Sequence, residues 1–232
     1  MAEPVHSVKT PCQSRSRDSL ERILKTAEAL IRTKGFEALT VAEVVRRSRT
    51  SIGTFYARFQ DKTSVLHAVQ ERVHGREEAM IRDRVAKVDW DVLTLEETVR
   101  KLLEIKRAAT KGNDKLWEAF VVHGATDPVI RQRGYRYKAQ VEDLEVEIVM
   151  RHAAQIAHEE PETAARVASR LWQAAKEEQV QRSKSGVSSP GNVSRDLLME
   201  KLADVAVAYL KGPGVGATHA RVGMRVPAPG AE

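Results

Sequence analysis

The chain has 232 residues, of which 42% are hydrophobic, 30% charged and only 5% aromatic, a composition suited to a globular protein of one or two domains. A lone cysteine, Cys12, excludes an intramolecular disulfide and fits a reducing cytoplasm, while no apolar run approaches the roughly 20 residues of a membrane span. The net charge of +6 is unevenly spread: residues 1–62 hold 12 Lys and Arg against 7 Asp and Glu, whereas the rest hold 26 against 25. The N-terminal quarter therefore suits a phosphate-bearing partner, and the near-neutral remainder suits some other task.

In chain order, residues 1–17 contain Pro4, Pro11 and several Ser and Arg without apolar periodicity. They lack the apolar core of a signal peptide and read as a disordered basic arm, from which Lys9, Arg15 and Arg17 could reach a minor groove. Asp18 and Glu21 are spaced as a capping box, so a first helix is predicted from about Asp18 to Lys34, with Leu20, Ile23, Leu24, Ala27, Leu30 and Ile31 as its apolar stripe and Gly35 as its stop. Thr40 and Glu43 form a second such box ahead of Val41, Val44 and Val45. The pattern breaks at Ser48-Arg49-Thr50, restarts after Ser51 with Ile52, Phe55 and Phe59, and restarts again after Asp61 with Val65, Leu66 and Val69. Two helices this short cannot bury a core alone and must lean on the first. That is the pattern of a helix-turn-helix, whose second helix enters a DNA major groove.

The stretch RILKTAEALIRTKGFEALTVAEVVRRS, followed by SIGTFYARFQDK, resembles the DNA-binding domain of the TetR family of transcriptional regulators. The likeness covers about residues 20–66 and is most specific in Gly53-Thr54-Phe55-Tyr56 with Phe59 and Lys62. Helix-favouring composition, with Val and Ile at helical intervals, predicts an all-α protein, and the resemblance implies an N-terminal three-helix domain (residues 18–66) joined by a long helix to a larger helical ligand-binding and dimerisation domain (residues 67–211); the Gly- and Pro-rich residues 212–232 read as a disordered tail. The resemblance also implies a cytoplasmic homodimeric repressor of a palindromic double-stranded DNA operator, released by a small-molecule effector and needing no cofactor. At the turn the sequence departs from the family, placing Ser48-Arg49-Thr50 where members usually have Ala-Gly-Val. Either the turn differs or Arg49 accepts about 1–2 kcal/mol of left-handed strain.

Roles follow from chemistry. Arg49, Thr50, Ser51, Gly53 and Thr54 sit where side chains approach DNA: Gly53 permits close backbone approach and Thr54 offers a hydroxyl and a methyl. Thr40, Tyr56 and Lys62 resemble the family's phosphate-contacting positions. Ile52 fits a thymine methyl but fits the core better, and Phe55 and Phe59 read as core. Beyond residue 87, helices are predicted near 95–110, 113–125, 128–158, 161–184 and 194–211, separated by Gly and Pro signals. Trp117, Phe120, Val121, His123, Tyr135, Tyr137, Met150 and Trp172 are candidates to line a ligand cavity, although most serve equally as core. Ala164, Ala165, Ala168, Leu171, Trp172 and Ala175, with Leu198, Leu202, Val205, Ala206 and Tyr209, form two stripes suited to a dimer interface.

No nucleotide-binding loop, nucleophile motif or metal-spaced Cys/His set is present, which argues against an enzyme. A ligand-free DNA-binding factor and a helical adaptor are the rival readings, and the basic skew of residues 1–62 disfavours the adaptor. Tyr56→Ala and Lys62→Ala should weaken binding to all DNA sequences, whereas Thr54→Ala should mainly relax specificity. Salt-dependent affinities for operator and random DNA check this, and an unchanged operator-to-random ratio for Thr54→Ala removes the base-reading role.

Overall fold

The structure, a computed structural model, describes residues 11–185 and 195–212. The first ten residues of the expected arm, the loop from Gly186 to Asn192 and the tail beyond Gly212 lie outside the described residues. Among the described residues the regular structure is helical throughout. The helices are α1 (Pro11–Lys34), α2 (Val41–Ser48), α3 (Ile52–Tyr56), α4 (Lys62–Val85), α5 (Leu95–Thr110), α6 (Asp114–Gly124), α7 (Pro128–Val149), α8 (Pro161–Ser185) and α9 (Arg195–Lys211), with a 3₁₀ turn after α7 at Met150–Gln155. No described helix is long and apolar enough to cross a membrane.

Local signals explain most boundaries. Thr40 Oγ1 accepts from the Glu43 N–H (3.2 Å), Ser51 Oγ from the Thr54 N–H (3.0 Å), and Asp61 from the Ser64 N–H (2.7 Å) with Ser64 bonding back, so each short helix opens on a satisfied cap. Glu43 does not complete its box but pairs with Lys34 and Arg47. α1 departs from expectation by starting at Pro11 rather than near Asp18. Proline suits a first helical position, and the added turn is held from outside: Arg58, just beyond α3, donates to the Ser16 carbonyl (2.6 Å) and hydroxyl. Glu21 leaves the expected cap and binds Arg72 on α4 (2.6 and 2.8 Å).

Two apolar clusters share α4. Val65, Leu66, Val69 and Val73 pack with Ile23, Ile31, Phe36, Phe55 and Phe59 in the N-terminal cluster, while Ile81 and Val85 join Trp90, Leu102, Trp117, Tyr137, Val146 and Leu210 in the larger one. The helix continues unbroken through His74-Gly75, because residues on both sides of that pair are pinned in cores. Leu116, Phe120 and Ile130, from α6 and α7, also belong to the N-terminal cluster. The packing unit thus extends beyond residue 66, and the two halves interlock.

Between the clusters lies a buried polar network. Glu77 is 1% exposed and accepts hydrogen bonds from Asn113 Nδ2 (2.6 Å), Trp117 Nε1 (3.2 Å) and the Tyr137 hydroxyl (3.1 Å). Asn113 Oδ1 in turn accepts from both Arg32 Nε (3.2 Å) and Arg32 Nη2 (3.1 Å) of α1. Arg32, Arg72 and Arg76 converge on the buried carboxylate of Glu28; burial pushes that carboxyl up, but these guanidiniums more than offset it and its pKa lies below the ordinary value. His74 stacks on Tyr137 with centroids 4.4 Å apart, and its Nε2 is buried without a partner. Burial, reinforced by Lys176, Lys138 and Arg133, lowers its pKa to about 3.

His74 therefore stays neutral in the fold but protonates in the unfolded chain below about pH 6.5. The unfolded state binds more protons across that window, so stability at this residue falls on acidification, by about 2 kcal/mol between pH 7 and pH 5. Glu77, whose pKa burial raises, contributes with the opposite sign. Urea unfolding of wild type and His74→Phe at both pH values isolates the histidine: the variant should lose about 2 kcal/mol less on acidification, and equal losses would contradict its neutral burial.

Candidate nucleic-acid interface

The α2–α3 unit rests on α1 through Val44 and Phe55, 1% and 0% exposed, leaving its opposite side to solvent. That outer side carries Thr40, Arg46, Arg47, Arg49, Ser51, Ile52, Gly53 and Tyr56, all exposed, with Thr54 and Thr50 half-buried beside them. The expected polar and basic positions of α2, the turn and α3 are thus open to solvent or half-buried, none of them in the core. Thr40 uses an oxygen lone pair as helix cap, leaving its O–H free to donate. Thr54 Oγ1 lies 2.8 Å from Ser51 Oγ, so the two hydroxyls at the head of α3 orient one another. Tyr56 stands edge-on to Phe55, 5.4 Å between centroids, which fixes its ring and leaves the phenol outward. Lys62, at the start of α4, holds its ammonium 4.7 Å above the Phe36 ring and 4.0 Å from Glu37.

Ile52 corrects the sequence reading. It was expected in the core, yet it is 53% exposed. Ile52 is the first residue of a helix of only five, and Phe55 and Phe59, deeper in the unit, fill the space against the N-terminal core while Ile52 is left at its rim.

Arg49 resolves the question of the turn. Its φ and ψ are 53° and 45°, in the left-handed region. The Thr50 N–H donates to the Val45 carbonyl (3.2 Å) and the Arg49 N–H to the Arg46 carbonyl (3.4 Å), the pairing of a Schellman motif, which normally favours glycine. The arginine is retained in that conformation by the anchoring on either side: Arg22 Nε donates to the Ser48 carbonyl (3.1 Å), and the Ser48 and Thr50 hydroxyls are 2.8 Å apart. Three arginines, Arg46, Arg47 and Arg49, consequently flank the approach to α3.

A second candidate site lies in the larger cluster. Trp117, Val121, Tyr137 and Trp172 line one cavity of about 40 Å³ between α4, α5, α6, α7 and α8. The other aromatic candidates lie elsewhere. Phe120 belongs to the N-terminal cluster, and His123 packs edge-on against Phe36, 4.6 Å between centroids, and lies 3.3 Å from Glu37. Tyr135 is 64% exposed, and Met150 begins the 3₁₀ turn. Sequence reasoning overlooked the cavity's lysines. Lys106 and Lys176 are almost wholly buried, Lys106 bridging Glu145 (2.6 Å) and lying 4.1 Å from the Trp172 ring. The signal was available in Lys176, one helical turn after Trp172 within the apolar stripe of α8.

A helix-turn-helix held on a scaffold helix, with a helical domain behind it, is an architecture shared with helical transcriptional regulators. Residues 23–69, which contain the helix-turn-helix, match the family model of bacterial regulatory proteins, tetR family. No curated protein matches the chain. Solved structures of the same fold include a Mesorhizobium loti protein classed as a TetR-family transcriptional regulator, 17% identical, with a TM-score of 0.61 over 84% of this chain and 96% of that one. A transcriptional regulator from Cytophaga hutchinsonii is 15% identical, with a TM-score of 0.62 over 83% and 96%. A regulator from Saccharomonospora viridis, solved in complex with choline, is 15% identical, with a TM-score of 0.63 over 83% and 95%.

Arg49→Gly should remove the left-handed strain and stabilise the fold by about 1 kcal/mol, while weakening DNA binding through loss of a cation. Chemical denaturation paired with binding titrations measures both, and a destabilised variant would show that Arg49 contributes contacts worth more than its strain.

Proposed function

We propose that the protein is a ligand-responsive transcriptional repressor that binds a palindromic DNA operator as a homodimer and leaves it when a small molecule occupies the helical domain. The observation that carries the DNA-binding part is the exposed surface of α2 and α3, where hydroxyls, a phenol, Ile52 and three arginines surround a short helix whose Phe55 is buried in the N-terminal core. In this reading Ser51, Gly53 and Thr54 face bases, Arg49 and Thr50 lie at the edge of the groove, and Thr40, Tyr56 and Lys62 hold phosphates. Residues 18–66 act as the DNA-binding domain and residues 67–211 as the regulatory domain, with α4 passing between them.

Dimerisation is supported by apolar side chains that the protomer leaves outside. Val167 and Leu171 on α8 are 37% and 42% exposed, and Leu197 and Val205 on α9 are 43% and 52% exposed, while Ala164, Ala165, Trp172 and Ala206 from the same two stripes are buried within the protomer. In this reading the buried members of the stripes close the core, and Leu171 and Val205, with Val167 beside them, meet a second copy. An effector is supported by the cavity at Trp117, Tyr137 and Trp172, and by the choline held by the Saccharomonospora viridis protein of the same fold. Movement of α6 or α7 around a ligand would reach α1 through Glu77, Asn113 and Arg32, shifting the recognition helices away from the spacing that two half-sites require.

Gel shifts against the DNA flanking the protein's own gene test the reading, and absence of any sequence-preferring complex contradicts it. Leu171→Glu with Val205→Glu should yield monomers by light scattering and lower operator affinity by about 100-fold, since each half-site then binds without its tethered partner; a dimer that persists would place the interface elsewhere.

A further inference from the structure

Resting on the effector reading above, we propose that the cavity is a cage for a small organic ammonium ion, occupied in the ligand-free protein by the chain's own Lys176 ammonium. Lys176 Nζ lies 3.8 Å from the centroid of Trp117 and 5.6 Å from that of Trp172, so one cation faces two indole rings, with Tyr137 closing the lining beside them. Such an arrangement of aromatic faces is what recognises alkylammonium groups, because each ring presents its negative quadrupole to the charge.

The counter-charge is already in place. Glu77 receives only donors, the Asn113 amide, the Trp117 indole and the Tyr137 hydroxyl, an environment matched to a carboxylate and not to an acid seeking an acceptor. Burial pushes its pKa up, and the Lys176 ammonium is the largest influence opposing that rise. Lys106 is paired with Glu145 and Lys138 with Glu177. An anionic ligand would have to break these pairs, whereas an ammonium ion can replace Lys176 with the charge balance unchanged.

An exit for the lysine is also present. Thr110, Trp172 and Lys176 line both the cavity and a cleft of about 760 Å³ between α5, α8 and α9, to which Glu104 and Glu200 contribute. Rotation of the flexible lysine stem toward that cleft, where Glu104, Asp114 and Glu200 stand among Arg100, Arg107 and Lys111, clears the face of Trp117. Trp172 Nε1, buried without an acceptor, offers a donor to a ligand that also bears an oxygen. The chemical class is therefore a small alkylammonium, with a hydroxylated one preferred.

The experiment follows tryptophan fluorescence of the full-length protein during titration with tetramethylammonium, choline, the neutral isostere 3,3-dimethylbutan-1-ol and benzoate. Saturable binding of the ammonium ions, at least about tenfold tighter than the neutral isostere, is expected. Lys176→Met, which keeps a stem of similar length without the competing charge, should tighten choline binding by about tenfold or more, and Glu77→Gln should weaken it to a similar extent. Binding of the isostere or benzoate as tightly as choline, or no saturable ammonium binding up to about 100 mM, overturns the cage; because these outcomes come from wild type, they hold even if a variant fails to fold. Parallel gel shifts keep the two readings apart: choline binding that leaves operator complexes intact contradicts the effector role but not the cage, whereas operator binding without choline binding contradicts the cage alone.

Discussion

The carboxamide of Asn113 holds both halves of the molecule at once. Its oxygen accepts from Arg32 of α1, and its nitrogen donates to Glu77 of α4. Glu77 is among the most deeply buried charged groups of the described residues, and an ionised carboxylate survives such burial only when its lone pairs are filled and a cation stands near. Asn113, Trp117 and Tyr137 fill the lone pairs, so the position of α1 relative to α6 and α7 is tied to the satisfaction of one buried carboxylate. A change in the aromatic residues around Glu77 alters the bonding available to Asn113 and, through it, to Arg32. This is a contiguous physical connection between cavity and helix-turn-helix, built from groups that each carry a penalty if left unpaired.

The same economy governs the N-terminal half. α2 and α3 have 8 and 5 residues, too few to persist as isolated helices. Their order comes from side-chain caps at Thr40 and Ser51 and from burial of Val44 and Phe55 against α1 and α4. Because the apolar residues are consumed inward, the outward surface is left to polar and basic groups, and Ile52 and Tyr56 are the large side chains that remain exposed there. The left-handed Arg49 belongs to this arrangement: the turn geometry comes from the Schellman pairing and from Arg22 on the Ser48 carbonyl, and the arginine occupies a position that the backbone had already fixed.

Much of this was legible in the sequence. Every helix from α2 to α9 starts within a few residues of its predicted position, since caps at Thr40, Ser51 and Asp61, the Asp127-Pro128 start and the Gly112 stop are local signals that do not depend on distant contacts; the end of α7 does not, because the helix expected to reach 158 stops at Val149 and passes into a 3₁₀ turn kinked at His152. Of the positions expected at the head of α3, Ser51 and Gly53 are exposed and Thr54 is half-buried. The exceptions have local or long-range causes: α1 is longer because Arg58 reaches back to Ser16, a contact spanning 42 residues, and Ile52 lies outside because two phenylalanines compete successfully for the same core. His123 and Phe120 left the expected cavity lining for the N-terminal cluster, because α6 packs against α1 as well as against α7.

The sequence by itself determined the all-helical class, the helix-turn-helix, the family resemblance and the basic skew, all of which are written in neighbouring residues and in composition. Only the tertiary structure decided which aromatic residues converge, that Lys106 and Lys176 are drawn inside among tryptophans, and that Arg32, Asn113 and Glu77 form one chain of hydrogen bonds. The physical reason is distance along the chain: caps and amphipathic stripes are set within one or two turns, whereas the partner of a buried charge is set by where whole helices come to rest. Arg32 and Asn113 are 81 residues apart and Asn113 and Glu77 are 36 apart, and no local pattern announces that they will meet.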